Sequence, residues 1–334
     1  MAFTSPNAFY ADCVLRAHGA PEAGRWGDPG CLPLVRMPYG ARAWRSPYTF
    51  LTAPRFDGDD AVSAWRSLLG PQRTPPGLLR LELLPAEPDA LEPFVQACED
   101  LGLAFAPARR FERAVLDAQT DRETLEARWS RQRRKAVRKA RAGLEELGDV
   151  SFDRADDPAD VAAAYADFCA LERSGWKGRA GTSLAQHPRD REAFGAALEG
   201  LAAGRGARIH VLRLDGRPIA VAIVLRDPPH AYAAKIAYDE ALSRFSPGVV
   251  LGVAMTGALI DDPEIRLVDS CATWGNDMIA WMWPDRRPLV DMVVATRRYV
   301  PRGLVASSAR AMGLAFAARE RLKRAVGRAP GRRA

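Results

Sequence analysis

The sequence predicts a mixed α/β fold, three layers deep, built around a mostly antiparallel sheet. Three observations carry this expectation. Two apolar runs, residues 209–214 and 218–225, flank Asp215-Gly216, a dipeptide that tolerates the positive φ angles of a tight hairpin turn. A third strand-like run, 231–238, leads through Ser246-Pro247-Gly248 into an apolar helix over about 249–260. Ahead of the hairpin stand two helical segments, 157–175 and 189–203, so the order is helix, helix, hairpin, strand, helix.

The remaining elements follow from local signals. Residues 1–80 are rich in Pro and Gly, with short strands expected at 31–37 and 48–53 and a helix at 61–69. A strand is expected at 78–84. A helix over 90–101 repeats Leu91, Phe94, Val95 and Cys98 at helical spacing and stops at Gly102, and another strand follows at 111–116. Thr120-x-x-Glu123 has the capping-box pattern and opens a long helix to about Leu147, ended by Gly148. After a strand at 150–152, Asp157 is placed to cap a helix whose first position is Pro158 and whose apolar stripe is Val161, Tyr165, Phe168 and Leu171. Strands at 266–271 and 289–295 and a final helix over 304–326 complete the chain.

Composition narrows the function classes. A chain of 334 residues, 48% hydrophobic and 27% charged, can bury one large core or two ordinary ones. No apolar run approaches the roughly 20 residues of a membrane span, and the N-terminal stretch lacks the basic start and apolar core of a secretory signal. Cys13, Cys31, Cys98, Cys169 and Cys271 are odd in number and scattered, and there are only four histidines. That argues against a disulfide framework or a metal centre and for a cytoplasmic, metal-free protein. The net charge of +7 is local: residues 128–141 hold eight Lys/Arg and no acid, and 302–333 hold nine against Glu320 alone. Such runs attract polyanions, whether nucleic acid or an anionic leaflet, or are solvated helix faces. The chain has no GxSxG, P-loop, HExxH or GxGxxG, which removes most hydrolase, nucleotidase and dehydrogenase readings.

Two segments concentrate residues that are hard to explain as core. Glu172 lies on the edge of the stripe formed by Tyr165 and Phe168, where a carboxylate needs a partner or a task. The loop beyond it, Gly175-Trp176-Lys177-Gly178-Arg179-Ala180-Gly181-Thr182, joins three glycines to an aromatic ring, two cations and a hydroxyl, a mixture suited to a phosphate or carboxylate ligand. On the strand 231–238, alternation puts Lys235 with Ala237 and Asp239 on one face and Tyr232, Ile236 and Tyr238 on the other. Lys235 must reach water, a carboxylate such as Glu172 or Asp239, or a ligand. Ser246, Gly248 and Val249 open a helix, where free amides bind anions.

At these residues the sequence carries a resemblance. LERSGWKGRAGT (171–182), LRLDGRPIA (212–220) and KIAYDEALSRFSPG (235–248), with Asp269-Ser270-Cys271-Ala272 and Trp283 followed by Arg286-Arg287-Pro288-Leu289, together resemble the GNAT-fold group of CelD-like polysaccharide-biosynthesis proteins, which is similar in turn to the Fem aminoacyltransferases. The likeness covers roughly 120–298. It implies a GNAT acyltransferase domain over 120–300, a divergent GNAT-like half over 1–119 and a basic helix and tail over 301–334. It further implies transfer of an acyl group from acetyl-CoA or a longer acyl-CoA, used as co-substrate with no permanently bound cofactor, to a small-molecule, glycan-linked or lipid-linked amine or hydroxyl. The candidate catalytic residues are Glu172, Lys235 and Asp239, those for substrate Trp176, Lys177, Gly178, Thr182 and Tyr238, and those for the donor Ser246, Gly248 and Val249. Two alternatives stay open: an aminoacyl-tRNA donor drawn to the basic run 128–141, and a catalytically degenerate module held at the inner membrane surface by the basic tail.

Overall fold

The computed structural model describes residues 32–45, 48–52, 60–72, 74–272 and 277–327. The expectations on the N-terminal stretch, on Cys13 and Cys31, and on the basic residues after Gly327 lie outside them. The chain divides into two units: Arg113–Arg287, and the segments Pro21–Glu112 and Pro288–Ala334 on either side of it in sequence.

In the first unit, β1 (Leu34–Met37) and β2 (Gly40–Ala43) form a hairpin in which Met37 pairs with Gly40. Gly40 has φ +137°, and a Cβ there would sit 2.0 Å from the Leu78 carbonyl oxygen, so the turn admits only glycine. The strand expected at 48–53 does not form; Tyr48, Phe50 and Leu51 are buried without a ladder, and Ala53 lies outside the described residues. Asp60 caps α1 (Ala61–Leu69) by accepting from the Ser63 amide at 2.8 Å. β3 (Leu78–Pro85), α2 (Pro88–Asp100) and β4 (Phe105–Asp117) follow. Trp65 of α1 meets Phe94 of α2 edge-on at 5.1 Å.

In the second unit, the long basic helix expected from Thr120 is two helices, α3 (Arg122–Ala127) and α4 (Arg131–Glu145). The caps are Asp121, which accepts from Thr124, and Ser130, which accepts from Arg133. Trp129 explains the break: it is buried, its indole N–H donates to the Met282 carbonyl, and its ring stands against Trp281 at 5.3 Å. Burying it turns the chain between the helices, and the Arg134 guanidinium covers the carbonyls of Glu126, Ala127 and Trp129 left open there. β5 (Val150–Ala155) and α5 (Pro158–Ser174) follow close to expectation, with a short helix α6 (Trp176–Arg179) inside the segment expected as a loop. α7 (Pro188–Ala203), β6 (Ala207–Leu214), β7 (Arg217–Asp227) and β8 (His230–Tyr238) also follow close to expectation, then α8 (Pro247–Ile260), β9 (Leu267–Asp269) and α9 (Asp277–Met282). Asp157 caps α5 through the Asp160 amide, with Pro158 behind it.

This unit's strands run β4-β9-β8-β7-β6-β5, antiparallel except at β8 and β9. α5 and α7 cover one face. On the other, α8 packs with α4 over Leu212, Ala222, Val224 and Ile236. α8 is apolar on nearly all sides; most of its residues are buried, and Val249, Val253, Ala254, Ala258 and Ile260 are partly covered. Its Thr256 hydroxyl accepts from the indole of the fully buried Trp283 at 2.9 Å.

The chain then runs through β10 (Asp285–Ala295) into α10 (Arg302–Gly327). In the first unit β10 pairs antiparallel with β3, and the strand order there is β1-β2-β3-β10-β4. The C-terminal helix, expected as a basic tail apart from the domains, packs Val305, Ala309 and Met312 on Val293 and Ala295 of this unit. Gly313 fits because a Cβ there would lie 2.4 Å from the Ala108 carbonyl oxygen. Among the described residues no helix is long and apolar enough to cross a membrane, and no cluster of His, Cys, Asp and Glu could hold a metal ion.

β9 ends on a buried ionic cluster. Asp269, 1% exposed, accepts from Arg113 and Arg287 at 3.0 Å each and from the Cys271 amide at 2.8 Å. Burial alone would raise the Asp269 carboxyl, but the charges of Arg113 and Arg287 and these hydrogen bonds hold it below its ordinary value of 3.8. Asp269→Asn removes the carboxylate that both guanidiniums face, and is expected to destabilise the protein by about 3–5 kcal/mol in urea unfolding at pH 7. The folded carboxyl titrates below the unfolded one, so the cluster's contribution is present above about pH 4 and lost as pH falls through the lowered value. The difference between wild type and variant should therefore shrink below pH 4; a constant difference down to pH 2 would refute the charged pairing.

Candidate functional site

β8 has a second partner over only three residues. His230, Ala231 and Tyr232 pair in parallel with Leu267, Val268 and Asp269, whereas β7 accompanies β8 along its whole length. Beyond Tyr232 the two parallel strands separate, and the β8 edge over 233–238 has no strand beside it among the described residues. The register with β7 slips at the same place: Val224 faces Ala233 but Ile223 faces Lys235, so Ala234 is an extra residue in β8.

That bulge corrects the expected sidedness. An extra residue reverses the alternation, so Tyr232 shares a face with Lys235 and Ala237, toward α5. Ala231, Ala233, Ile236 and Tyr238 take the opposite face and pack with α8. Tyr238 thus lies on the far side of the sheet from Lys235, its ring against Gly248, where an added Cβ would meet it at 3.1 Å.

On the α5 face the structure assembles Glu172, Lys177 and Lys235. Glu172 is 4% exposed at the last turn of α5; one carboxylate oxygen accepts from the Lys177 ammonium and the other from the Leu184 amide, both at 2.7 Å. Both oxygens therefore hold the loop between α5 and α7 against the sheet. Burial lowers the Lys235 pKa, and the ammonium of Lys177 pushes the same way, while the charge of Glu172 opposes them. Cys169 lies in the same group, its thiol raised by burial.

The loop is built around its glycines. At Gly178 a Cβ would fall 1.7 Å from the Arg173 carbonyl oxygen, and Gly181 has φ +71°. Trp176 is 58% exposed beside the Lys177 ammonium, and Thr182 is exposed with its hydroxyl on the Lys177 carbonyl. Glu240, which sequence reasoning missed, ties this loop to the turn after β8: its carboxylate accepts from the Trp176 amide and the Arg179 guanidinium, both at 2.6 Å. Nothing in a sequence spacing of more than sixty residues announces that contact.

Asp239 is placed otherwise. Its carboxylate caps the turn Glu240–Phe245 through the Ala241 amide and pairs with Arg217 at 2.8 Å, so both oxygens are engaged in local structure. Ser246 has φ +48° and makes no side-chain cap. Pro247 has no N–H, and the amides of Val249 and Val250 donate back to the Ser246 carbonyl at 2.9 and 3.1 Å. The entry to α8 therefore offers an anion fewer amides than an ordinary helix start. Arg113, Asp269 and Arg287 stand at the last rung before the strands part; Asp269 and Arg287 fall in the Asp-Ser-Cys-Ala and Arg-Arg-Pro-Leu runs of the sequence, and Arg113 in neither.

Residues 131–277 match the family model described as an acetyltransferase (GNAT) domain. Among solved structures, that of FemX is similar with a TM-score of 0.52 at 12% identity, over 79% of this chain and 83% of that one. A conserved protein of unknown function from Bacteroides thetaiotaomicron has the same TM-score at 8% identity, over 88% and 92%. A tandem GNAT protein of the clavulanic acid pathway aligns over 89% and 98% at 15% identity, with a TM-score of 0.39, too low for the likeness to carry weight. No curated protein sequence matches. The fold is α/β of the GNAT type, and the domain is acetyltransferase-like.

Gly178→Ala should break the loop's approach to Arg173 and detach Glu172 from its partners. The expected result is faster amide exchange at Leu184 and cleavage by trypsin after Lys177 or Arg179; unchanged exchange and proteolysis would contradict this account.

Proposed function

We propose that this chain is an acyltransferase that moves an acyl group from a CoA-type thioester to an amine or hydroxyl. The observation that carries the reading is the open edge of β8 over 233–238 with Lys235 on it. Strand addition along such an edge suits the amide-bearing arm of a CoA thioester, and an edge amide would meet the thioester oxygen as negative charge develops. The acceptor would enter beside Trp176, attack the carbonyl carbon and give up its proton. In this reading the proton goes to Lys235, whose neutral amine burial favours, and returns to the thiolate as the C–S bond breaks. Glu172 then acts as the anchor of Lys177 and the loop rather than as the base, and Asp239 holds the turn. A glycan-linked or lipid-linked acceptor rests on the resemblance of the three motifs alone.

A thermal-shift series with acetyl-CoA and longer acyl-CoAs is the first test. A ligand at 100 times its Kd adds about 2.7 kcal/mol of stability, so a true donor should raise Tm by several degrees. Lys235→Met should retain that shift while lowering turnover about 10²–10⁴-fold. The reading fails if no acyl-CoA shifts Tm, or if Lys235→Met transfers at the wild-type rate.

One observation favours the second reading, an aminoacyl-tRNA donor. On α4, Arg131, Arg133, Lys135, Arg138 and Lys139 are exposed, beside Arg134 and Arg141, which bind carbonyls and Glu145. If that reading is right, tRNA binding should fall steeply between 50 and 200 mM salt, by roughly tenfold or more for a few phosphate contacts. Salt-independent or absent tRNA binding would dismiss it.

A further inference from the structure

α10 has two apolar sides. The inner one, Val305, Ala309, Met312 and Phe316, packs on Val293 and Ala295 of the first unit. The outer one faces solvent. Leu304, Ala311, Ala315, Ala318 and Leu322 recur at intervals of seven, four, three and four, with Leu314 beside them, so they form one stripe along the helix. All six are exposed, and Leu304, Leu314 and Leu322 expose 50%, 72% and 66% of their surface. Tyr299, three residues ahead of the helix, is 74% exposed. Among the described residues, half of the large exposed apolar side chains therefore fall in this one segment. Single exposed apolar residues are ordinary, but a concentration of them marks a contact surface.

Cations border the stripe. Arg310 and Arg321 follow one edge and Arg319 the other, and all three are exposed. The one acid of α10, Glu320, stands a turn after Phe316 and is half-buried on the inner side. This distribution of charge decides among the possible occupants. A second copy laid stripe to stripe would bring the arginine borders of two helices together with no acid to answer them. A nucleic acid would meet the arginines but leave the leucines uncovered. An anionic phospholipid surface answers both. The leucines enter the boundary between head groups and acyl chains, and the arginines lay their methylenes along the stripe while their guanidiniums reach phosphate.

We propose that the outer face of α10 docks the first unit on an anionic phospholipid surface. The helix lies in the plane of the head groups, since no described helix is long and apolar enough to cross a membrane. Three leucines and a row of alanines are a small apolar load, so the attachment is reversible and needs the apolar and the charged contacts together. This separates it from the contact a basic tail would make by charge alone. The face belongs to the first unit and Lys235 to the second, and the proposal stands whether or not acyl transfer is found.

The test is flotation of the full chain with vesicles of phosphatidylcholine alone and of equimolar phosphatidylcholine and phosphatidylglycerol. The expected result is binding to the mixed vesicles, little to phosphatidylcholine alone, and release toward about 1 M salt, where the screening length falls to about 3 Å. Changing Leu304, Leu314 and Leu322 together to serine should weaken binding by roughly tenfold or more. Arg310→Gln, Arg319→Gln and Arg321→Gln should each weaken it about fivefold. All of these side chains are exposed, so the variants should melt as wild type does; Leu314→Ser alone, expected to bind less tightly, carries the test if the triple variant melts early. Four results would each overturn the proposal: no binding to the mixed vesicles, undiminished binding by the serine variants, a dimer in sedimentation velocity that the serine changes dissolve, or a DNA duplex held through Arg310, Arg319 and Arg321 without the leucines.

Discussion

Beyond Tyr232, β8 keeps β7 on one side and loses β9 on the other, and most of what distinguishes the second unit depends on that parting. A backbone edge inside a domain is normally paired, because unpaired amides and carbonyls are costly away from water. Here two features accompany the exception. The extra residue Ala234 kinks β8 away from the line it would share with β9. Asp269, held by Arg113 and Arg287, ends β9 at the last common rung, where Cys271 turns the chain away with φ +52°. The cost of burying three charges there is spread over their mutual pairing, so the end of the strand is held by charge rather than by a continued ladder.

The same bulge distributes the chemistry. Because it reverses the side-chain alternation, Lys235 lies on the face of α5 with Glu172, while Tyr238 goes to the face of α8. Glu172 is a buried carboxylate whose two oxygens are both used, and its partners are the two ends of the Trp176–Leu184 loop. A loop of this length would otherwise be expected to move. Closed onto Glu172 and Glu240, it presents Trp176 to solvent from a fixed base.

The opposite face is governed by close approach. Gly257 of α8 admits the Arg122 guanidinium, and Gly143 of α4 admits the Phe245 ring, each within 3 Å of where a Cβ would stand. Met282 and Trp283, both fully buried, lie against Gly252 and Thr256 of α8. Val137 and Val253 line a cavity on this face, together with arginines that include Arg138, Arg141, Arg208 and Arg226. The unit therefore has an open β8 edge beside Lys235 and a cavity on the opposite face of the same sheet.

Local physics made much of the architecture legible. Asp215-Gly216 sets the β6–β7 hairpin, Asp157-Pro158 starts α5, and the unbroken apolar run after Ser246 can only be a buried helix, because each signal acts over a few residues of backbone. Glu172 and Lys235 were likewise recognisable as misfits on apolar elements. What sequence reading misplaced depended on partners distant in the chain. Trp129 split the basic helix because Met282 and Trp281 were waiting for its indole, and Tyr232 changed face because one extra residue entered β8 opposite β7. Glu240 and His210 look like ordinary residues in a line of text, and the motif that holds Asp269 says nothing of its partners. Only the folded sheet shows one fastening a loop, one ending a strand between two arginines, and one with no partner at all, since burial and pairing are properties of neighbours in space.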